Sequence, residues 1–339
     1  MKLLYINKIK ANVGWGFETF LDRSLHEHGI ETICVDYQEN AYSLANSLLN
    51  ITNDFDAVLL QRGCGYLIPL EILTAINRPK FLLFTELVPR NLDQHYLLKS
   101  DLFEHIFFRS LPCIDSVLAQ GWRAKDRLSL FLSSIDPCFH QPINGIEKDI
   151  DVLFIGTLLP RRQKIIDELA QSFKIETGNA FGLDMVKLIN RAKIVLNIHG
   201  EDFLDTETRV YETLACKGFL LTETLSAENP FQSGVDLVEA VDIEDLKSKI
   251  AYYLENQIER NTIANHGYES VIRHHSFGDR AKQIKQIIEK YLPSESPEND
   301  PFDREYLQRC SRQESHTKVI DTFRFGSRRL LSSIKRRFI

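Results

Sequence analysis

The 339-residue sequence lacks a run of apolar residues near the roughly 20 needed to cross a bilayer, which argues against a membrane-spanning protein. It lacks a global basic field. Its formal charge is −6, so nucleic acid is not the expected main partner. Its six cysteines (Cys34, Cys64, Cys113, Cys138, Cys216, Cys310) form no C-x-x-C pair and mostly sit in apolar runs. That favours free thiols in a reducing cytoplasm over a disulfide or zinc framework. There is no H-E-x-x-H motif and no cysteine cluster, so a dedicated metal site has no support. The apolar start, MKLLYINKIKANVGWG, is too short for a signal-peptide core and is expected to be a first strand.

What is present is a chain with 43% hydrophobic residues, long enough to bury two cores. From residue 1 to 134, the runs LLYIN, TICVDY, AVLLQR, FLLFTE, HIFFRS and LSLFLSS alternate with helical stretches. Their near-continuous apolarity suits strands covered by helices on both faces, the pattern of a parallel, doubly wound sheet. Pro137, Pro142 and Gly145 interrupt the pattern and mark residues 135–150 as a linker. A second series follows over 151–292, with strands VLFIG, FKIET, IVLNI, FLLTE and DLVEA. The expected fold is α/β, with two Rossmann-like doubly wound domains facing a cleft.

After Leu292 the chain turns polar, and 293–339 are expected to form a linker and tail. From Thr322 onward the tail has six basic residues and no acidic one, with Leu330, Ile334 and Phe338 on one helical face. Two readings stand there: an interfacial helix drawn to anionic lipid, or a solvated or back-packed basic tail.

Ligands in open α/β sheets lie beyond the carboxyl ends of the strands. The stretch from Ile194 to Glu223 is one strand–loop–helix–strand unit that places His199, Glu201, Asp202, Arg209 and Glu212 at that end, with Gly218 as the expected left-handed helix stop. In DVLFIGTLLPRRQKIIDEL a strand ends at Gly156, and Pro160 opens a helix beside Arg161 and Arg162, which together suit an anion. Gly14 and Gly16 follow the first strand, where glycine lets backbone approach a ligand closely. They are half of a dinucleotide fingerprint: Thr19 stands at the third glycine position, although Asp36 ends the next strand, so an NAD(P)-dependent oxidoreductase is a minor alternative. Glu86, at the end of FLLFTE, is a candidate base, with a salt bridge as its structural alternative.

The Arg209-x-x-Glu212 helix and the ending TLACKGFLLTE resemble the donor-binding motif of GT-B glycosyltransferases, most of all the CgeB/YkvP-like branch of the family 4 type. The resemblance covers about Phe81 to Leu292 and is strongest from Asp151 to Glu223. It implies a hexosyl-type, retaining transfer from a nucleotide diphosphate sugar to an acceptor (a glycan, lipid-linked molecule or protein), without metal or cofactor. It implies that Glu212 holds the ribose, that Arg209 lies near the diphosphate or sugar, that Arg161 or Arg162 contacts the diphosphate, that Gly14 and Gly16 face the cleft, and that His199 and Glu86 are the catalytic candidates. The second acid of the wider family, eight residues before Glu212, falls on Leu204, leaving Glu201 or Asp205 to substitute. A noncatalytic GT-B-like surface or glycan-binding protein is the rival from another class.

Overall fold

A computed structural model describes residues 1–7, 14–37, 43–52, 54–61, 69–88, 92–201, 204–294 and 299–314. The basic residues 322–339, Asp202 and Cys64 lie outside them. The chain begins β1 (Lys2–Asn7), α1 (Phe17–Glu27), β2 (Glu31–Asp36), α2 (Leu44–Leu49), β3 (Ala57–Gln61), α3 (Leu70–Thr74) and β4 (Lys80–Phe84). It continues through α4 (His95–Lys99), β5 (His105–Phe108), α5 (Leu111–Ala119) and β6 (Leu128–Leu130). These strands form one parallel sheet in the order β2-β1-β3-β4-β5-β6. Every residue of β3 and β4 is buried, because helices cover both faces of the sheet.

The second half runs β7 (Ile150–Ile155), α6 (Pro160–Leu169), β8 (Ile175–Gly178), α7 (Gly182–Arg191), β9 (Ala192–Asn197), α8 (Thr208–Ala215), β10 (Leu220–Glu223) and β11 (Val238–Ala240). Helices α9 (Ile243–Glu255), α10 (Gln257–His274) and α11 (Phe277–Ile288) follow. The second sheet is also parallel, ordered β11-β10-β9-β7-β8. The sequence thus supports two parallel-sheet α/β units, and the structure shows them. Among the described residues, no helix is long and apolar enough to cross a membrane.

Two long-range placements differ from the expectations. Helix α11, inside the stretch assigned to the second unit, packs its Phe277, Ala281, Ile284 and Ile288 against Phe20, Leu21 and Leu25 of the first. The chain therefore crosses between units twice. At the crossing the Ile135 N–H donates to the His275 carbonyl at 2.9 Å, and the Phe277 N–H donates to the Ile135 carbonyl at 3.0 Å. Residues 299–314, expected to be polar linker, return to the first sheet: Phe302, Leu307 and Cys310 are buried in its core, and Arg78 donates to Asn299. A few apolar side chains among polar neighbours suffice for that docking, and composition averaged over the segment conceals them.

The helix stop after α8 also differs. Lys217, not Gly218, takes the left-handed conformation, with φ 56°. The Lys217 N–H donates to Leu214 and the Gly218 N–H to Thr213, each at 2.9 Å, so the last turn closes as a Schellman motif. Gly218 has a packing role instead, since a Cβ there would stand 2.9 Å from both Ile189 Cγ2 and Thr213 Cγ2.

Candidate active site

The carboxyl ends of both sheets face a cavity of about 450 Å³. The first unit contributes the α1 start, from Trp15 to Phe20, and Arg109 just past β5. The crossover contributes Ser134, Phe139 and His140. The second unit contributes the β7 end up to Gly156, Arg162, the α7 start at Phe181 and Gly182, and the α8 start from Asp205 to Glu212.

Three guanidinium groups enter this cavity, and each meets a carboxylate. Arg109 Nη2 donates across the cleft to both Asp205 oxygens, at 3.1 and 2.9 Å. Arg162 Nη2 donates to Glu207 at 2.8 and 3.0 Å, while its Nε and Nη1 donate to the carbonyls of Ile198 and Thr157. Arg209 Nη1 lies 2.8 Å from Glu212 Oε2, one turn along α8, and also rests against the Met185 sulfur. The Nε atoms of Arg109 and Arg209 are buried without a hydrogen-bond partner. Buried donors left unpaired are costly, so they mark a place where an acceptor is expected. The α8 N-terminus adds the positive end of its helix dipole.

Glu212 is the buried acid of the set. Burial pushes its carboxyl above the ordinary range, and Arg209 pulls against that shift. His140 Nε2 stands 3.8 Å from Glu212 Oε1. His140 Nδ1 lies 3.1 Å from the Asp136 N–H and 3.3 Å from the Asp136 carbonyl, which holds the ring with Nε2 toward Glu212. Burial, followed by the charge of Arg209, lowers the His140 pKa to about 4, so the ring is neutral at pH 7.

Residues 148–286 match the protein family described as Glycosyl transferase-like. The whole architecture is similar to solved structures: Anabaena HepE in complex with UDP and glucose, at TM-score 0.64 and 12% identity over 86% of this chain and 100% of that one. An alpha-glucosyltransferase solved with UDP and a 13-mer DNA containing an HMU base has TM-score 0.63 and 11% identity over 85% of this chain and 99% of its own. Sucrose-phosphate synthase from Thermosynechococcus elongatus has TM-score 0.60 and 10% identity over 86% and 98%. The chain has the two-unit GT-B fold of these glycosyltransferase structures. An uncharacterized protein, R358, of Acanthamoeba polyphaga mimivirus is 32% identical over 83 residues, which is 24% of this GT-B chain and 28% of that relative.

Of the residues singled out from the sequence, the GT-B cleft brings together Gly16, Gly156, Arg162, Arg209 and Glu212. Arg161 and His199 lie elsewhere, in a smaller depression with Glu201, Leu204 and Glu223. There Arg161 donates to both Glu223 oxygens, at 2.8 and 2.7 Å, and to the His199 carbonyl at 3.0 Å. Burial alone would raise the Glu223 carboxyl, but hydrogen bonds from Arg161 and the His199 N–H hold it below its usual range. The His199 ring shares 2.8 Å with the Thr224 carbonyl through Nε2, while its Nδ1 is buried without a partner. Glu86 is half-buried beyond β4, outside the residues that line the cavity, with its carbonyl near the Cys113 sulfur. Arg161 and His199 are thus hydrogen-bonded to each other outside the residues that line the larger cavity, and Glu86 is not among those residues either.

Gly14 and Gly16 have φ values of 66° and 114°, and between them they turn Trp15 toward the second unit. Gly14 itself is not part of the lining. Of the two acids near Leu204, Asp205 lines the cavity and Glu201 does not, while Leu204 is exposed. Arg109, His140 and Trp15 escaped sequence reasoning. The available signal for Arg109 was its place immediately after the strand HIFF, where a cleft residue is expected. Two Asp-x-Asp pairs do occur, Asp54/Asp56 and Asp149/Asp151. They are engaged elsewhere, with Arg78, the Lys2 N–H, Arg191 and Lys193. Among the described residues, no three His, Cys, Asp or Glu side chains are grouped to hold a metal.

Proposed function

We propose that this GT-B protein moves a hexosyl group from a nucleotide diphosphate sugar to an acceptor. The observation that carries this reading is the cleft itself: three guanidiniums at the meeting of two sheet ends, with Arg109 Nε and Arg209 Nε buried and unpaired. Glycosyl transfer breaks the bond between the anomeric carbon and the diphosphate oxygen, and negative charge grows on the departing group. Preorganised cationic donors in a water-poor cleft stabilise that charge more in the transition state than in the ground state. Arg109 and Arg209 are the leading residues for this work, with Arg162 beside them.

Glu212 would accept from the ribose hydroxyls through Oε1, since Oε2 is occupied by Arg209. Asp205 takes the place of the missing acid near the sugar. Retention of anomeric configuration is part of this proposal, supported by the resemblance of the α8 unit to the family 4 type and its CgeB-like branch. A retaining mechanism also needs no separate base at Glu86. The UDP complexes among the structural relatives make a uridine donor the first choice. One relative holds DNA, but the net charge of −6 here favours a non-nucleic acceptor. A cytoplasmic protein that contacts anionic lipid through its basic tail belongs to the same proposal and rests on the charge of residues 322–339 alone.

The test is a thermal-shift panel with UDP, GDP, ADP, dTDP, CMP and NAD, followed by hydrolysis of the corresponding sugar nucleotide. A ligand at a hundred times its dissociation constant stabilises by about 2.7 kcal/mol. The expected result is a shift with one nucleoside diphosphate and slow release of sugar from its conjugate. A shift with NAD alone, or binding of the sugar nucleotide without any turnover in the presence of glycan acceptors, overturns the transferase reading in favour of the oxidoreductase or the noncatalytic protein.

A further inference from the structure

Trp15 and Phe181 face each other across the mouth of the cleft, one from each unit. Their ring planes are 15° from parallel and their centroids are 6.3 Å apart. Both are large aromatic side chains left exposed, at 38% and 58%, and both line the cavity that holds Arg109, Arg209 and Glu212. Burial alone does not explain them, since a pair of large apolar rings facing water at a cleft mouth gains little there.

We infer that Trp15 and Phe181 form an aromatic clamp that sandwiches the flat base of the nucleotide, an inference that rests on the proposed nucleotide-sugar reading. A ring held in van der Waals contact on both faces needs about 7 Å between the outer planes, twice the optimum carbon–carbon separation of about 3.5 Å. The ring centroids are 6.3 Å apart, short of that width, so a base would have to part the rings. Parting them requires Trp15 to lift from Gly182, where a Cβ would stand only 3.2 Å from the indole. Glycine at 182 is what lets the indole rest against that backbone. Gly14 and Gly16, in conformations that L side chains rarely adopt, flank the tryptophan and set the direction in which its indole leaves the chain. The base thereby joins the two units on one side of the cavity while Arg109 and Asp205 join them on the other.

Binding of UDP, GDP, ADP, dTDP and inorganic pyrophosphate is measured by calorimetry on the full-length protein and on Trp15→Ala, Trp15→Phe and Phe181→Ala. The sequence has two tryptophans, so a Trp122→Phe background lets Trp15 emit alone. The expected result is quenching of Trp15 by the nucleotide that binds, and a loss of roughly ten-fold in its affinity on Trp15→Ala or Phe181→Ala. Trp15→Phe should recover most of that affinity, and pyrophosphate, which has no base, should bind all variants alike. Unchanged nucleotide affinity in Trp15→Ala overturns the clamp and leaves the transferase reading standing. Equal losses for pyrophosphate and nucleotide also overturn it, since Trp15 would then act through loop shape. Failure of the wild-type protein to bind any of the four nucleotides removes the nucleotide reading and the clamp together.

Discussion

Replacing Glu212 with alanine tests the centre of the cleft, and the structure predicts two separable losses. The first is stability. Arg209 and Glu212 pair at 2.8 Å with side chains only 14% and 17% exposed, so truncating the acid leaves a guanidinium with little water and no counter-charge. Breaking a fully buried pair costs about 3–5 kcal/mol, and the residual exposure here puts the expected cost near the lower end, about 2–3 kcal/mol. The second loss is ligand affinity. Hydrogen bonds to a charged group are worth about 1.5–3 kcal/mol each, so losing the ribose contacts should weaken nucleotide binding by roughly ten- to a hundred-fold. Urea unfolding at pH 7 reads the first, and calorimetric titration with UDP reads the second. A double variant, Arg209→Met with Glu212→Leu, should recover most of the stability because it leaves no unpaired charge, yet it should not recover binding. If Glu212→Ala loses stability but binds the nucleotide as wild type does, Glu212 serves only as the partner of Arg209, and the ribose assignment is wrong. If neither quantity changes, the pair itself carries no weight.

Arg109→Met should loosen the join between the two units, because it leaves Asp205, a residue of the opposite unit, without its two hydrogen bonds. Small-angle scattering of the ligand-free protein should show a larger radius of gyration, and identical scattering would refute the cross-cleft role. His105, His140 and His275 each have a pKa lowered by burial from 6.5 to about 4. Between these values the unfolded chain binds more protons than the folded one, so stability is lost as pH falls from 6.5 toward 4. Each histidine contributes a slope of at most about 1.4 kcal/mol per pH unit, opposed in part by Glu212, whose carboxyl is shifted upward. A urea midpoint that does not fall between pH 7 and 5 would contradict this. Gly267→Ala should destabilise by about 1–3 kcal/mol despite alanine's better helix propensity, since its Cβ would overlap the Asp236 carbonyl and stand 2.8 Å from Leu214 Cδ2.

The parts of this molecule legible in its sequence are the ones governed by local pattern. Continuous apolar runs marked all the strands described here, and the proline at residue 160 stands at its helix start as expected. What local pattern could not reach was pairing at a distance. Arg109 and Asp205 are 96 residues apart, and only the folding of two sheets toward one cleft brings them together. The same limit explains α11, whose apolar stripe is visible in the sequence although its partner on α1 is not. Adjacent arginines show the limit at its shortest range: Arg161 and Arg162 follow one another at the start of α6, yet a helix turns successive side chains to different sides. One meets Glu223 and the other Glu207.

That divergence bears on which arginines would meet the diphosphate under the proposed function. Arg161 spends both terminal nitrogens on Glu223, and Arg162 has Nε, Nη1 and Nη2 all engaged by carbonyls or Glu207. Arg109 and Arg209 differ, because each keeps a buried Nε with no acceptor. One belongs to the first unit and one to the second. A phosphate held by both would therefore bind the two units to each other, and its affinity would depend on how far the cleft is closed. Under the proposed function, charge stabilisation and domain closure would become one event, with the guanidinium pair at full strength when the units meet and water is excluded from the donor. The carboxylates that hold these arginines meanwhile keep the cleft near neutral, so the anion must enter a site whose charges are already positioned but not yet committed.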